Sequence, residues 1–164
     1  MIATAKPLLT LTAADLMSRD VITVPRSMSL RAAAHLLSEI HVSGAPVVDE
    51  TERCVGVLSA TDFMHLVGYG ERGTAKPVCP NPGCFHSAWQ VVDVDDLPTD
   101  EVGTYMTADP VTVSPGTAIT ELAREMIDAH IHRIIVVDAR YRPIGVVSST
   151  DILAAMAHAA PIRP

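Results

Sequence analysis

The chain has 164 residues, a formal net charge of −7 and 48% hydrophobic residues, of which few are aromatic. That is enough apolar material for one domain or two small intertwined ones, with a core built from Val, Ile, Leu, Ala and Met. Only Lys6 and Lys76 are lysines and no Lys/Arg-rich run exists. This argues against nucleic acid or an anionic membrane as partner, because both need clustered positive charge. An anionic small ligand stays open, since local donors and a helix N-terminus outweigh the global sign.

Cys54, Cys79 and Cys84 are odd in number and unevenly spaced, unlike a secreted disulfide framework. Residues 1–11 lack the charged start and long apolar stretch of a signal peptide. No apolar run approaches the roughly 20 residues that span a bilayer. A soluble, reducing, cytoplasmic setting is the expectation.

In chain order, Thr12–Met17 reads as a short capped helix. Val21–Val24 is a β-branched run ended by Pro25. Ser29 then precedes Leu30, Ala33, Ala34, Leu36, Leu37 and Ile40, helical spacing with a serine cap. Gly44 is read as closing the helix region. Ala45–Asp49 predicts a buried strand, Thr51–Arg53 a turn, and Cys54–Ser59 a second strand. Asp62 to about Val67 closes the unit as a helix. The order is β-α-β-β-α.

Adding 89 to each number finds the same unit again. Met17 meets Met106, Asp20 meets Asp109, Thr23-Val24 meets Thr112-Val113, and His41 meets His130. Val47-Val48-Asp49 meets Val136-Val137-Asp138. The turn Gly56-Val57-Leu58-Ser59-Ala60-Thr61-Asp62 meets Gly145-Val146-Val147-Ser148-Ser149-Thr150-Asp151 without a gap. This is an internal duplication. Each copy, about 55 residues, is too small to be comfortable alone. The expected fold class is therefore α+β, with repeat one at 12–68 and repeat two at 101–157, paired about a pseudo-twofold axis and folding as one module.

The insertion between them, 69–100, is rich in Pro and Gly. Trp89–Val94 is a candidate short strand, and Asp93, Asp95, Asp96, Asp100 and Glu101 form an acidic patch. Cys79, Cys84 and His86 are three soft ligands on a loop that could wrap zinc, although Cys-x2-Cys pairs are the commoner pattern and a fourth ligand is needed. His65 or an acid of the patch could supply it. Two ordinary free thiols, or a reversible Cys79–Cys84 disulfide acting as a redox switch, are the other readings.

The repeats resemble CBS domains, which occur in tandem as a Bateman module. The resemblance rests on Met17…Thr23-Val24 and Met106…Thr112-Val113. It rests also on Ser43-Gly44-Ala45-Pro46-Val47-Val48-Asp49 against His132-Arg133-Ile134-Ile135-Val136-Val137-Asp138, and on the two Gly-turn-Ser-x-x-Asp stretches. It implies a regulatory ligand-binding module; the residues themselves offer no nucleophile paired with a base, no Gly-rich phosphate loop and no paired carboxylates on one face, so an enzyme is not expected. The implied ligand is an adenine nucleotide (AMP, ADP or ATP) or S-adenosylmethionine, held in clefts between the repeats. It also implies a homodimer, four repeats in a disc, that signals to a protein partner.

The chemistry of the turn suits such a ligand. A ribose diol presents two donors, which the two oxygens of the Asp62 or Asp151 carboxylate could accept. Ser59, Thr61, Ser148 and Thr150 stand at a helix N-terminus, where phosphate binds. Adenine would lie near Thr23 and Thr112. By resemblance, His132 and Arg133 contact phosphate, and Arg offers a planar fork of donors. Repeat one has Ser43-Gly44 there, so the two sites cannot be equivalent. The bland rival is a capping box, in which Ser-x-x-Asp only satisfies helix-end amides. His41 and His130 are read as structural, at helix ends. The competing function is a metal- or redox-responsive protein that senses through Cys79, Cys84 and His86, with the repeat pair as dimerisation scaffold.

Overall fold

The computed structural model describes residues 6–68 and 97–159. A 3-10 turn at Leu8–Thr10 leads into α1 (Ala13–Leu16), β1 (Val24–Pro25), α2 (Leu30–Glu39), β2 (Gly44–Val48), β3 (Cys54–Ser59) and α3 (Ala60–Gly68). A second 3-10 turn at Val102–Thr104 precedes β4 (Thr107–Ala108), β5 (Thr112–Val113), α4 (Ile119–Asp128), β6 (Arg133–Val137), β7 (Pro143–Ser148) and α5 (Ser149–Ala159). The β-α-β-β-α order of each repeat is present, in an α+β fold. No helix among the described residues is long and apolar enough to cross a membrane.

The chain divides into two compact units. The repeat-one unit takes residues 22–51 and 55–109; the repeat-two unit takes 1–21, 52–54 and 110–164.

In the repeat-one unit the sheet order is β1-β2-β3-β4. β1 runs parallel to β2, with Val24 opposite Val47. β4 runs antiparallel to β3, with Gly56 opposite Ala108 and Val57 opposite Thr107. Helix α2 starts where Ser29 Oγ accepts the Ala32 N–H at 3.2 Å. It buries Leu30, Ala33, Ala34 and Leu37, one stripe of a 3.6-residue period. These pack on Val24, Val47, Leu58, Phe63, Leu97 and Val102. Each large side chain fully buried there contributes about 1.5–3 kcal/mol.

In the repeat-two unit the order is β5-β6-β7. β5 is parallel to β6 with Thr112 opposite Ile135, and β6 is antiparallel to β7 with Arg133 opposite Ser148. Ile119, Leu122 and Met126 of α4 pack on Ile134, Val136, Val147 and Ile152.

The segment that leads each repeat in sequence lies in the unit of the other repeat. Ala13 and Met17 belong to the core of the repeat-two unit, and Ser18 bridges Val146 on the free edge of β7. Leu97, Val102 and β4 do the same work in the repeat-one unit, along the edge of β3. In the offset of 89 the two edge pairings, Ser18 with Val146 and Thr107 with Val57, are one feature seen twice.

Helices α2 and α4 end alike. The N–H of His41 donates to Ser38 O (3.2 Å) and that of Val42 to Leu37 O (3.1 Å). In α4, His130 donates to Ile127 O (3.2 Å) and Ile131 to Met126 O (3.0 Å). These are Schellman closures, and they place a residue in the left-handed region. Here it is His41 (φ 57) and His130 (φ 55), not glycine. The ring Nδ1 of each faces a last-turn carbonyl, Ser38 O at 2.8 Å and Asp128 O at 3.3 Å. Gly44, expected to close α2, instead opens β2. The strand expected over Val21–Val24 is shorter and shifted, Val24–Pro25, because only those two residues reach β2. Trp89–Val94 and the acids at 93, 95 and 96 lie outside the described residues.

Candidate functional site

Strand β3 runs straight into α3, and β7 into α5. Each junction must satisfy free amides at a helix start. In the repeat-one unit the Ser59 N–H (2.7 Å) and Ser59 Oγ–H (2.8 Å) both donate to Asp62 Oδ2. In the repeat-two unit the Ser148 N–H (2.7 Å) and Oγ–H (2.6 Å) both donate to Asp151 Oδ2. The Asp151 N–H returns a bond to Ser148 Oγ at 3.3 Å. Since the single Ser148 hydroxyl proton is committed to Asp151, the 2.7 Å contact between Ser148 Oγ and Thr150 Oγ1 has Thr150 as donor.

The capping geometry is thus real in both turns. It recurs at α1, where the Thr12 N–H and Oγ1–H both donate to Asp15 Oδ2 at 2.9 Å. That turn follows no strand, and its other carboxylate oxygen is taken by the Lys6 ammonium at 2.6 Å. The two oxygens of Asp62 and of Asp151, both expected to be available to a diol, are thus in different positions. Oδ2 of each is spent on the cap, and only Oδ1 points elsewhere.

At Oδ1 the two turns differ. Asp62 Oδ1 accepts the Thr107 hydroxyl at 3.3 Å. Asp151 Oδ1 accepts nothing among the described residues. Ser18 stands at the place equivalent to Thr107, with its backbone on Val146 (N–H to O 3.0 Å in both directions). Its hydroxyl makes no bond to Asp151.

The neighbouring strand supplies the rest. The Ser149 N–H donates to His132 O at 2.9 Å, and Arg133 is paired across the strands with Ser148. The His132 and Arg133 side chains are exposed, and the strand pairing sets Arg133 at the same end of the repeat-two sheet as Ser148, Thr150 and Asp151. In the repeat-one unit the Ala60 N–H donates to Ser43 O at 2.8 Å, and Gly44 takes the place of Arg133. A β-carbon on Gly44 would stand 2.8 Å from Leu58 O and 3.1 Å from Ser59 Cα. No side chain fits there, so that turn has no cation on its strand. Thr23 and Thr112 sit at the head of β1 and β5, partly buried, and Thr61 is exposed.

The grooves found within each unit lie at the other end of the sheets. One, about 390 Å3, is lined by residues such as Arg26, Asp49 and Glu101. Its counterpart, about 410 Å3, is lined by Thr112, Val137, Asp138 and Tyr141 among others. Of the residues expected to bind ligand, only Thr112 touches either groove.

Cys79, Cys84 and His86 lie outside the described residues. Among the described residues no group of three or more His, Cys, Asp or Glu could hold a metal ion.

Thr107 was missed in the sequence. Its signal was present: the residue after Met106 answers the residue after Met17, and both are hydroxyl-bearing. Nothing in one dimension places it on the Asp62 carboxylate.

Duplicated α+β units, each ending a strand in a Ser-x-x-Asp helix start, define a class of tandem-repeat module. The family model described as CBS domain matches residues 13–69 and 102–158. The chain belongs to the CBS-domain family. It is 28% identical over 138 residues to CBSX2, a chloroplastic CBS domain-containing protein of Arabidopsis thaliana, spanning 80% of this chain and 57% of that one. It is 28% identical over 142 residues to an A-adding tRNA nucleotidyltransferase of Geobacter sulfurreducens, spanning 87% of this chain and 13% of the enzyme. This chain therefore spans little of some curated relatives and about half of others.

The structure of CBSX2 in complex with AMP superposes with TM-score 0.67 at 26% identity, covering 90% of this chain and 96% of that one. The CBS domain pair of MJ0100 in complex with 5'-methylthioadenosine and S-adenosyl-L-methionine gives 0.69 at 20% identity, covering 92% and 99%. At that identity the second likeness speaks for the fold alone.

Proposed function

We propose that this chain is a non-catalytic sensor that binds an adenine nucleotide, or a related adenosyl ligand, at the Asp151 turn. The observation that carries the reading is Asp151 itself. Ser148 fixes the carboxylate through Oδ2, while Oδ1 has no partner among the described residues. Arg133 begins the adjoining strand, directly across from Ser148. In this reading the Asp151 carboxylate on the turn accepts from a sugar diol, and the Arg133 guanidinium on the paired strand binds phosphate. The N-terminus of α5 adds the positive end of its dipole. The likeness to a CBS pair solved with AMP supports the same ligand class.

Signalling requires the ligand to favour one arrangement of the module over another, by its difference in affinity for the two. The output then passes to a protein partner in the cytoplasm. Homodimerisation is part of the proposal. It is supported by Leu153 and Met156, three apart on one face of α5, which are 60% and 51% exposed.

Thermal-shift measurement with AMP, ADP, ATP and S-adenosylmethionine tests the reading. At least one is expected to raise the melting temperature, and Asp151→Ala to remove the rise while the protein stays folded. No rise with any of them at millimolar concentration would sink it.

A further inference from the structure

The two turns are identical in what caps them and different in what remains. An ionised carboxylate offers about four acceptor positions, two on each oxygen. In Asp151 the Ser148 N–H and hydroxyl fill the pair on Oδ2, so both positions on Oδ1 are left. In Asp62 the Ser59 N–H and hydroxyl fill the pair on Oδ2, and the Thr107 hydroxyl takes one on Oδ1. One position is left. A vicinal diol needs two.

We infer that Thr107 is a built-in competitor that sets how the Asp62 turn reads a sugar. Asp151 accepts both hydroxyls of a ribose. Asp62 accepts one unless Thr107 lets go, so it distinguishes ribose from 2'-deoxyribose poorly and holds ribose more weakly. The inference rests on the proposed nucleotide reading and adds a second, differently tuned reader to it.

The difference lies in side chains and not in backbone. Thr107 pairs with Val57 and Ser18 with Val146, the same address in the two repeats. Thr107 is β-branched, which narrows its choice of rotamer, and its hydroxyl rests on Asp62. Ser18 has no such restriction, is exposed, and leaves Asp151 alone. Neither repeat's core depends on these hydroxyls, because Thr107 is exposed as well.

Calorimetric titration of the full chain with AMP and with 2'-deoxyAMP tests this as a ratio of affinities, which a small loss of folded protein does not alter. Asp62→Asn isolates the Asp151 turn and Asp151→Asn isolates the Asp62 turn. The isolated Asp151 turn is expected to prefer AMP on the order of tenfold, the worth of one hydrogen bond to a charged group. The isolated Asp62 turn should prefer it by no more than about twofold. Adding Thr107→Val, which keeps shape and removes the hydroxyl, should raise that preference to on the order of tenfold. If the isolated Asp62 turn binds neither nucleotide, Thr107→Val or Thr107→Ala should restore AMP binding. Ser18→Thr in the Asp62→Asn protein should lower the preference.

An unchanged ratio after Thr107→Val and Thr107→Ala overturns the inference while nucleotide binding stands. So does a tenfold preference already present at the isolated Asp62 turn. Wild-type protein that takes up no AMP at all overturns the nucleotide reading, and the inference with it.

Discussion

Met17 occupies the space that a β-carbon on Gly145 would need. Its Cγ and Cβ would stand 2.7 and 2.9 Å from that atom, with Sδ nearer still. Residue 145 is glycine because a methionine from the far end of the chain lies flat on β7. Gly145→Ala is expected to cost about 1–3 kcal/mol through overpacking. Met17→Ala should recover part of that loss in the double variant, because all three nearest atoms are its own. Denaturant melts of the four proteins give the coupling energy. A purely additive pair would refute the packing argument.

His41 and His130 hold left-handed backbone at the ends of α2 and α4. That conformation costs a non-glycine residue about 1–2 kcal/mol. His41→Gly and His130→Gly should each raise stability by roughly 0.5–1 kcal/mol, net of the greater freedom glycine has when unfolded. Thermal melts above pH 7 are the measurement. A loss of stability would mean that the ring contacts with Ser38 O and Asp128 O outweigh the strain.

Asp15 is held down to about 2, first by the Lys6 ammonium and then by the Thr12 amide and hydroxyl. Asp138 is also lowered, by the Arg142 N–H and then its guanidinium. A carboxyl lowered in the folded state adds stability above its unfolded value, and loses it as pH falls through the folded one. For Asp15 that window runs from 3.8 down to about 2. Melting temperature should therefore fall across it, and the Asp15→Asn protein should show a shallower fall. Equal slopes would show that Lys6 does not hold Asp15 in solution.

Arg133 and Gly44 are equivalent positions with opposite demands. Arg133→Ala should weaken AMP binding about tenfold, since a charge-assisted contact is lost. As an exposed surface change it should move stability by no more than about 0.5 kcal/mol. Gly44→Arg should not transfer the function. Its β-carbon would meet Leu58 O at 2.8 Å, so a cost of about 1–3 kcal/mol is expected and no gain in affinity. Titration of both variants with AMP decides the matter.

The duplication, the helix starts and the Ser-x-x-Asp turns were legible because they are local or periodic. Ser29 and the α2 stripe repeat within one helix, and the 89-residue offset shows on the page. What stayed hidden is tertiary. That Asp62 and Asp151 spend Oδ2 on their own serines depends on rotamers. That Thr107 reaches Asp62 depends on β4 lying along β3. Gly44 looked like a helix stop because glycine suits left-handed backbone, yet a close approach to β3 is what excludes a side chain there. The left-handed residues that close α2 and α4 are histidines, where glycine is the usual signature.

The crossed leading segments give the two cores very different sequence separations between their parts. Everything the repeat-one core uses, through Met106 and β4, has been translated before β5 begins. The repeat-two core is different. Ala13 and Met17 leave the ribosome early, and their strand partner at Gly145–Val146 arrives only near the end. Until then Met17 and Ser18 lack the strand they pack and pair with. A loop that long closes slowly. The N-terminal helix is among the first pieces made, yet its packing partners on β7 are among the last.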